Sequence, residues 1–217
     1  MSEGWRKTAA TDRFDDWSPV YEQGAWWRLF FKPLRNLLAS TIGDPHGFAV
    51  LDIGCGTGAL LRRLADGGAV KLAGVDASEG MLAEARKLAG DRPIKFFHSP
   101  AHELPFDDAT FDVVTTSIAF HHFAEPEQVV REMARVLKPV GRLLICDLNG
   151  ERFASKVMLA YGKKRGDLRH FKRFEVEQMM VDAGLRVERS RIVRRVPPAH
   201  LVEAVRPAAS PGIAEKR

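Results

Sequence analysis

The sequence predicts an α/β domain, built on a doubly wound and mainly parallel sheet with helices on both faces and preceded by an N-terminal helical appendage. From residue 46 onward, short apolar runs alternate with amphipathic segments, and parallel strands need such crossover helices between them. A glycine-rich turn follows the first apolar run directly, as is typical of the ligand-binding edge of a doubly wound sheet.

Residues 1–45 form the predicted appendage. Their apolar residues recur at helical spacing, while Arg28, Lys32 and Arg35 fall on the other side of the same helix. The apolar positions are Trp27, Phe30, Phe31, Leu34, Leu37 and Leu38. We therefore predict an amphipathic helix ahead of the domain.

Residues 46–206 form the predicted domain. Its strand-like runs are Ala49–Ile53, Leu72–Val75, Lys95–Phe97, Phe111–Ser117 and Arg142–Cys146. The helices predicted between them are Ala59–Ala65, Gly80–Leu88 and Pro126–Leu137. Gly67-Gly68 ends the first helix in the manner of a left-handed cap, and Lys138-Pro139 ends the third.

The C-terminal part begins with a basic insertion, residues 148–173. A helix at Glu175–Ala183 and strands at Arg186–Val193 and Leu201–Val205 complete the predicted domain. Residues 207–217 are rich in Pro, Gly, Ser and charges, so we expect a disordered tail.

Composition narrows the class of protein. A chain of 217 residues suits one domain, and its net charge of +5 does not by itself indicate nucleic acid. Its two cysteines, Cys55 and Cys146, stand in apolar contexts and are expected to be free thiols. No zinc-type ligand spacing, membrane span or secretory signal is visible, so we expect a cytoplasmic protein without a metal.

The segment Val50–Gly58 runs from a strand into three glycines and then a helix. A dinucleotide would place its pyrophosphate on that helix, and Asp52 would repel it. A ligand with a positively charged end would instead be attracted. Asp76 ends the second strand, where a carboxylate can bind both hydroxyls of a ribose. The alternative role for Asp76 is a helix cap, for which Ser78 is better placed.

The chain resembles the class I methyltransferases, which bind S-adenosylmethionine in a Rossmann-like domain, and within them the branch related to quinone-biosynthesis C-methyltransferases. The matching segments are Val50–Gly58, Gly74–Leu82, Glu103–Phe106, His121-His122 and Arg135–Leu144. The resemblance covers residues 45–150 and implies methyl transfer from S-adenosylmethionine to a small, largely apolar molecule. It leaves the acceptor atom open among carbon, nitrogen, oxygen and sulfur.

The resemblance also implies the residues of the cofactor site. Asp52, Gly54, Gly56 and Thr57 line the methionine end, Asp76 holds the ribose, Met81 packs on the adenine with Ala101 and His102 nearby, and Ser117 faces the sulfonium. The other cofactor-binding residues are Cys55, Gly58 and Ala77. For Met81 the alternative is core packing. The family usually has Gly-Asp-Ala-Glu where this chain has Ser99-Pro100-Ala101-His102. Losing that Asp removes one hydrogen bond to adenine, which costs about 0.5–1.5 kcal/mol.

Catalytic candidates follow the fourth strand. His121 and His122 lie where the acceptor should bind, and histidine suits proton removal near neutral pH. Between the two, His122 is preferred. The alternative is that both cap the next helix or pack beneath Phe120 and Phe123. Tyr21 belongs to a segment that, in the resembling branch, folds over the cofactor and excludes water.

We expect the appendage to form one wall of an enclosed acceptor pocket. The aromatic surface for that wall would come from Trp26, Trp27, Phe30, Phe31 and Leu34. The same helix could contact a membrane surface peripherally, and packing against the sheet is the simpler alternative.

Two other functions stay open. The basic residues of the insertion could serve an RNA or protein methyltransferase, although no RNA-binding module accompanies them, so nucleic acid is not the expected partner. Pro100 would suit a protein that binds the cofactor without transferring its methyl group. The sequence does not specify the oligomeric state.

Overall fold

In the computed structural model, the described residues are 9–149 except Trp26 and Val70, and 169–208 except His170 and 194–197. A single sheet of seven strands organises them. The strands are β1 (Ala49–Ile53), β2 (Lys71–Asp76), β3 (Ile94–His98), β4 (Phe111–Ser117), β5 (Leu137–Leu148), β6 (Arg186–Val193) and β7 (Ala199–Val205). Their order across the sheet is β3-β2-β1-β4-β5-β7-β6.

The sheet is doubly wound, and the prediction of a mainly parallel α/β fold is confirmed. Parallel pairing links β1 to β2 and β4, β2 to β3, and β4 to β5. Only β7 runs against its neighbours, pairing antiparallel with β5 and β6. The strand order reverses between β1 and β4, which is where such sheets bind ligands.

Six α-helices accompany the sheet within the described residues. They are α1 (Ala9–Trp17), α2 (Lys32–Ile42), α3 (Ala59–Asp66), α4 (Glu79–Ala89), α5 (Pro126–Val136) and α6 (Arg173–Asp182). A 3₁₀ turn covers Ser18–Val20, a π-helical turn covers Trp27–Phe31, and a second 3₁₀ turn covers Phe120–His122. No described helix is long and apolar enough to span a membrane.

The core has one layer on each face of the sheet. On one face, α5 and α6 bury side chains such as Met133 and Met180 against the strands. On the other, α2, α3 and α4 bury Leu38, Leu61 and Leu82. A fully buried leucine contributes about 1.5–3 kcal/mol, so each helix is held mainly by its apolar face.

Two boundary predictions need correction. We predicted that α5 would extend to Leu137 and that Lys138-Pro139 would end it, but the chain is extended from Leu137 onward and β5 runs through both residues. Gly68 adopts a φ of +88° after α3, as the predicted left-handed cap requires.

A third correction concerns Arg35, which we placed on the polar face with Arg28 and Lys32. Arg35 is only 8% exposed and shares the buried face of α2 with Leu34 and Leu38. Within α2, Arg35 is about 100° around the helix axis from Leu34 and about 60° from Leu38, so regular helical spacing places it at the edge of the buried face.

Some predictions fall outside the described residues. They concern most of the basic insertion and the tail beyond residue 208. Of the basic residues of the insertion, Arg169, Lys172 and Arg173 are described. Cys55 and Cys146 are both buried and both free, as predicted.

Candidate functional site

A cavity of ≈ 410 Å³ opens at the carboxyl ends of β1, β2 and β4. This volume is within the range of about 300–1,000 Å³ typical of small-molecule sites. The structure brings ten of the predicted site residues to its wall. They are Tyr21, Gly54, Gly56, Asp76, Ala77, Met81, Ala101, His102, Ser117 and His122.

Five predicted residues lie near the cavity without lining it. The Cys55 side chain is buried in the core, and Gly58 is the N-cap of α3. Thr57 donates its hydroxyl hydrogen to Glu22. Asp52 is buried at 3% exposure, and His121 is bound to an aspartate behind the cavity.

Gly54 shows why the first turn is built from glycine. Its φ is +66°, and a Cβ at this position would be 2.4 Å from the Cβ of Ala119. Any side chain would therefore collide with the turn that follows β4. The loop and that turn approach each other closely, and their backbones form adjacent parts of the cavity wall.

The Asp76 carboxylate is held in place by backbone amides from two loops, one after β1 and one after β2. It accepts hydrogen bonds from the amides of Gly56 (2.8 Å) and Ser78 (2.9 Å). Burial raises its pKa, and these amide hydrogen bonds act in the opposite direction. Ser78 is the N-cap of α4 and accepts from the Met81 amide at 3.0 Å. Because Ser78 fills the capping role, Asp76 keeps lone pairs for a ligand.

Asp52 and Arg35 are both buried beside the cavity, and the charge of Arg35 acts on the Asp52 carboxyl group. Within the described part of the chain, Asp52 Oδ1 and Arg35 Nη1 are both buried without a hydrogen-bond partner. Burial raises the pKa of Asp52 to about 7, and the charge of Arg35 opposes this shift. Arg35 lines the cavity and donates to the Tyr21 hydroxyl at 3.4 Å. The two free polar atoms suit a ligand that carries both an ammonium and a carboxylate group.

The N-terminal segment covers the cavity and is attached to the domain at two points. Asp15 on α1 accepts hydrogen bonds from the Ser78 hydroxyl (2.6 Å) and the Gly80 amide (2.9 Å). Glu22 forms a two-oxygen salt bridge with Arg62 at 2.8 and 2.9 Å and also accepts from Thr57. Sequence reasoning missed both carboxylates, because nothing local distinguishes them from surface charges.

The wall formed by this segment differs from the one we predicted. Phe14, Tyr21 and Arg35 line the cavity. Trp27 and Phe31 do not, and Leu34 is buried in the core at 1% exposure. The side chains of Trp26 and Phe30 lie outside the described residues. The prediction that the aromatic wall includes Trp27, Phe31 and Leu34 is therefore wrong.

On the far side, residues 99–102 line the cavity. Pro100 is buried there and offers neither an amide hydrogen nor a side-chain acceptor. The Ser99 hydroxyl is directed to the Glu103 carbonyl at 2.8 Å. Recognition of an adenine at this wall would therefore depend on the backbone and on His102.

The turn after β4 brings a strained residue and two histidines to the site. Ile118 has a φ of +55°, which costs a β-branched residue about 1–3 kcal/mol and is typical of functional sites. His122 lines the cavity, and its ring centre is 4.1 Å from that of His121. His121 Nδ1 is 2.7 Å from Asp147 Oδ1. Sequence reasoning missed Asp147, which lies 26 residues away in the chain.

Comparison with known proteins finds a family that matches part of this chain. Residues 51–145 match the methyltransferase domain family. A demethylmenaquinone methyltransferase of Clavibacter sepedonicus is 45% identical over 116 residues, which are 53% of this chain and 47% of that protein. A 27-O-demethylrifamycin SV methyltransferase of Amycolatopsis mediterranei is 33% identical over 151 residues, or 68% and 53% of the two chains. The chain thus spans about half the length of the curated relatives it matches.

The fold comparison extends further along the chain. The first structure is a complex between the Haloferax volcanii Trm112 methyltransferase activator and a methyltransferase. One of its chains superposes on this chain with a TM-score of 0.79. The match covers 89% of this chain and 97% of the other at 24% identity. At that identity the likeness establishes a shared fold, including strands beyond the matched domain.

Proposed function

We propose that this chain, whose residues 51–145 belong to the methyltransferase domain family, transfers a methyl group from S-adenosylmethionine to a small, largely apolar acceptor. The family resemblance of the sequence is confirmed by the matched domain and by the methyltransferase relatives. The activity and the roles of individual residues are inferred from the cavity and its charges.

The buried pair of Asp52 and Arg35 carries the proposal. S-adenosylmethionine supplies a methyl group on a positively charged sulfur, and its amino-acid end carries an ammonium and a carboxylate. Asp52 fits the ammonium and Arg35 fits the carboxylate, and both have a polar atom without a described partner. A pyrophosphate would bring negative charge next to Asp52, which disfavours a dinucleotide.

The remaining cofactor contacts follow along the cavity floor. Asp76 would hold the ribose hydroxyls while its backbone hydrogen bonds keep it in place. Met81 and Ala101 would bind the adenine as apolar walls, with His102 at the edge. The Ser117 hydroxyl oxygen is buried, has no hydrogen-bond partner among the described residues, and would face the sulfonium region.

The acceptor side of the cavity supports a small apolar substrate. Phe14, Ile118 and Phe123 contribute apolar surface there, and His122 supplies a polar group that can accept a proton. The covering N-terminal segment would exclude water and hold the acceptor in line with the methyl group. The relatives act, by their names, on a demethylmenaquinone and a demethylrifamycin. A ring system of comparable hydrophobicity suits this cavity.

We also propose a peripheral membrane contact through the covering segment and the π-helical turn that leads into α2. Trp17, Val20 and Leu29 are exposed at 39%, 51% and 64%, and Arg28 and Lys32 are exposed close to Leu29 in the chain. Apolar side chains flanked by basic ones favour the surface of an anionic membrane. An apolar acceptor would then reach the cavity without crossing water.

A macromolecular acceptor has less support. Among the described basic residues of the insertion, Arg169 donates to the Ala124 carbonyl (3.0 Å) and Arg173 binds Glu177 and Ser190. These contacts engage part of each guanidinium group within the protein, and no RNA-binding module accompanies them.

Calorimetric titration with S-adenosylhomocysteine, the demethylated cofactor, tests the proposal. Asp76→Ala should weaken binding by about 1.5–3 kcal/mol, because charge-assisted hydrogen bonds to the ribose are lost. Asp91→Ala, at an exposed site far from the cavity, should bind like the wild type. Tight binding of a nicotinamide dinucleotide without binding of S-adenosylhomocysteine would refute the proposal.

A further inference from the structure

A second cavity, of ≈ 260 Å³, lies between the end of α2 and the two antiparallel strands β6 and β7. It shares no lining residue with the larger cavity at the carboxyl ends of β1, β2 and β4. Two hydroxyl residues of α2, two arginines of β6 and two residues of β7 form its wall. They are Ser40, Thr41, Arg189, Arg191, Leu201 and Glu203. The proposed methyl transfer uses none of these side chains.

The pairing of β6 with β7 places the four strand residues on one face of the sheet. In the antiparallel register Arg189 is opposite Glu203, and Arg191 is opposite Leu201. Residues two positions apart on a strand share a face, so all four side chains lie on the same side. Leu201 belongs to the core layer that α2 covers. The polar side chains of this wall are therefore turned toward the end of α2.

Glu203 contributes a buried carboxylate to this cavity. The residue is 6% exposed, and its Oε1 accepts a hydrogen bond from Arg142 at 3.2 Å. Its Oε2 has no hydrogen-bond partner among the described residues. Arg189 Nε is 4.0 Å from that oxygen, which is too far for a hydrogen bond. Since buried polar atoms are normally hydrogen-bonded, Oε2 is suited to accept a hydrogen from a bound molecule.

The arginines of β6 supply the opposite charge. Within the described ranges, the exposed Arg191 side chain forms no ion pair, whereas Arg186 on the same strand is paired with Glu188 at 2.6 Å. Together with Arg142, the lining residues have three guanidinium groups and one carboxylate, so positive charge is in excess. A guanidinium group binds a carboxylate through two parallel hydrogen bonds. Arg191 and Arg189 can therefore hold an anionic group.

The two hydroxyl groups of α2 decide what else a ligand must carry. Ser40 and Thr41 both donate to the Leu37 carbonyl, at 2.9 and 2.8 Å. Their hydrogens are thus used inside the helix, and toward the cavity these oxygens can only accept. With Glu203 Oε2 the wall has three acceptors. An ammonium group has three hydrogens to donate and no acceptor, which a simple carboxylate or phosphate does not offer.

We propose that this cavity is a second ligand site, which binds a free α-amino acid. The ammonium group lies on Glu203 and the hydroxyl oxygens of α2, and the carboxylate lies on Arg191 and Arg189. The excess of positive charge favours an acidic amino acid, whose methylene groups contact Leu201. Binding is non-covalent and does not depend on the proposed methyl transfer. The volume is below the range of about 300–1,000 Å³ that drug-sized ligands need, which suits a molecule of this size.

Calorimetric titration of the full-length protein with L-glutamate and with glutarate tests the proposal. Glutarate has the same two carboxylates and lacks only the ammonium group. We expect L-glutamate to bind at least about tenfold more tightly, because the ammonium group adds charge-assisted hydrogen bonds to Glu203. Equal affinity for the two compounds, or no heat from L-glutamate at millimolar concentrations, would overturn the inference.

Three variants locate the binding. Glu203→Gln should reduce the affinity for L-glutamate to that for glutarate, and Arg191→Gln should weaken L-glutamate binding by about tenfold or more. Arg186→Gln, on the same strand outside the cavity, should bind like the wild type. Binding that neither Glu203→Gln nor Arg191→Gln changes would place L-glutamate elsewhere, such as in the larger cavity, and the inference would be wrong. The exposed Arg191 keeps the test decisive if Glu203→Gln does not fold.

Discussion

At the scale of one residue, Asp52 shows how a group placed for ligand binding lowers the free energy of unfolding of the ligand-free protein. Its carboxyl group is buried beside the cavity, and burial raises its pKa from 3.8 to about 7. The unfolded chain loses this proton near pH 4, whereas the folded chain retains it to about pH 7. Between these values the free energy of unfolding therefore falls as the pH rises, and above pH 7 the full loss is present.

We predict that Asp52→Asn makes the ligand-free protein more stable at pH 8, by about 2–4 kcal/mol, because the neutral amide has no ionised form to bury. Thermal melting from pH 4 to pH 8 measures this effect, and the gain should vanish at pH 4. With saturating S-adenosylhomocysteine the order should reverse, because only the wild type pairs with the ligand's ammonium.

The exposed Asp91 supplies a matched control. Asp91→Asn should leave the melting temperature unchanged across the same pH range. If Asp52→Asn were no more stable than the wild type at pH 8 without ligand, the buried charge would be compensated by Arg35, and Asp52 would be part of a preformed ion pair.

Single residues also mark the limit of what the sequence could predict. Gly54, Asp76 and Ser117 were predictable because each lies at the end of a strand or directly after it, and strand ends converge on one edge of a parallel sheet. Arg35 was not, because it lies at the boundary between the polar and apolar faces of α2, and its charge alone favoured the polar face. Asp147 was not, because its partner His121 is brought near only by the pairing of β4 with β5.

At the scale of elements, the N-terminal segment is fastened to the two loops that would hold the cofactor. Asp15 binds the start of α4, next to the loop of Asp76, and Gly80 admits this contact because a Cβ there would be 2.7 Å from the Asp15 Cα. Glu22 binds Thr57 in the glycine loop and Arg62 on α3, the helix that follows it. We expect the opening of these contacts to limit the release of a bound cofactor.

We therefore predict that Glu22→Gln and Asp15→Asn each accelerate dissociation of S-adenosylhomocysteine by about tenfold, which corresponds to about 1.4 kcal/mol for the loss of a charged contact. Stopped-flow fluorescence can follow the release, because Trp17 lies against Tyr21 at 5.0 Å in the covering segment. Asp16→Asn, at the exposed neighbour of Asp15, is the control. Release at the wild-type rate from both variants would show that the segment does not limit cofactor exchange.

Elements were more predictable than contacts between them. Both β1 and β4 match the predicted runs because each has an uninterrupted apolar stretch, Ala49–Leu51 in β1 and Val113-Val114 in β4, as is common in buried parallel strands. The start of β5 was missed because Lys138, Pro139 and Val140 lie in a partly exposed stretch that lacks this pattern. The two attachment points of the covering segment depend on polar contacts between residues 35 to 65 positions apart, for which no local pattern exists.

At the scale of the whole molecule, the N-terminal region divides into a cover and a structural helix. Residues 9–24 lie over the cavity through Phe14 and Tyr21 and are attached by Asp15 and Glu22. In contrast, α2 belongs to the core, with Leu34 and Leu38 at 1% and 0% exposure. Its last turn also accepts hydrogen bonds from Arg142 on β5. Truncation should therefore give two distinct outcomes.

Deleting residues 1–24 should leave a folded protein that binds S-adenosylhomocysteine about tenfold more weakly, because Arg35 and Asp76 remain while the cover is lost. Methyl transfer should fall much further, since water then enters the site. Deleting residues 1–40 removes two buried leucines worth about 1.5–3 kcal/mol each, a large share of a typical stability of about 5–15 kcal/mol. Circular-dichroism melts and calorimetry should thus separate a folded, weakly binding variant from an unfolded one. Equal stability of the two truncations would show that α2 is not part of the core, and full activity of the shorter truncation would place the acceptor away from the covering segment.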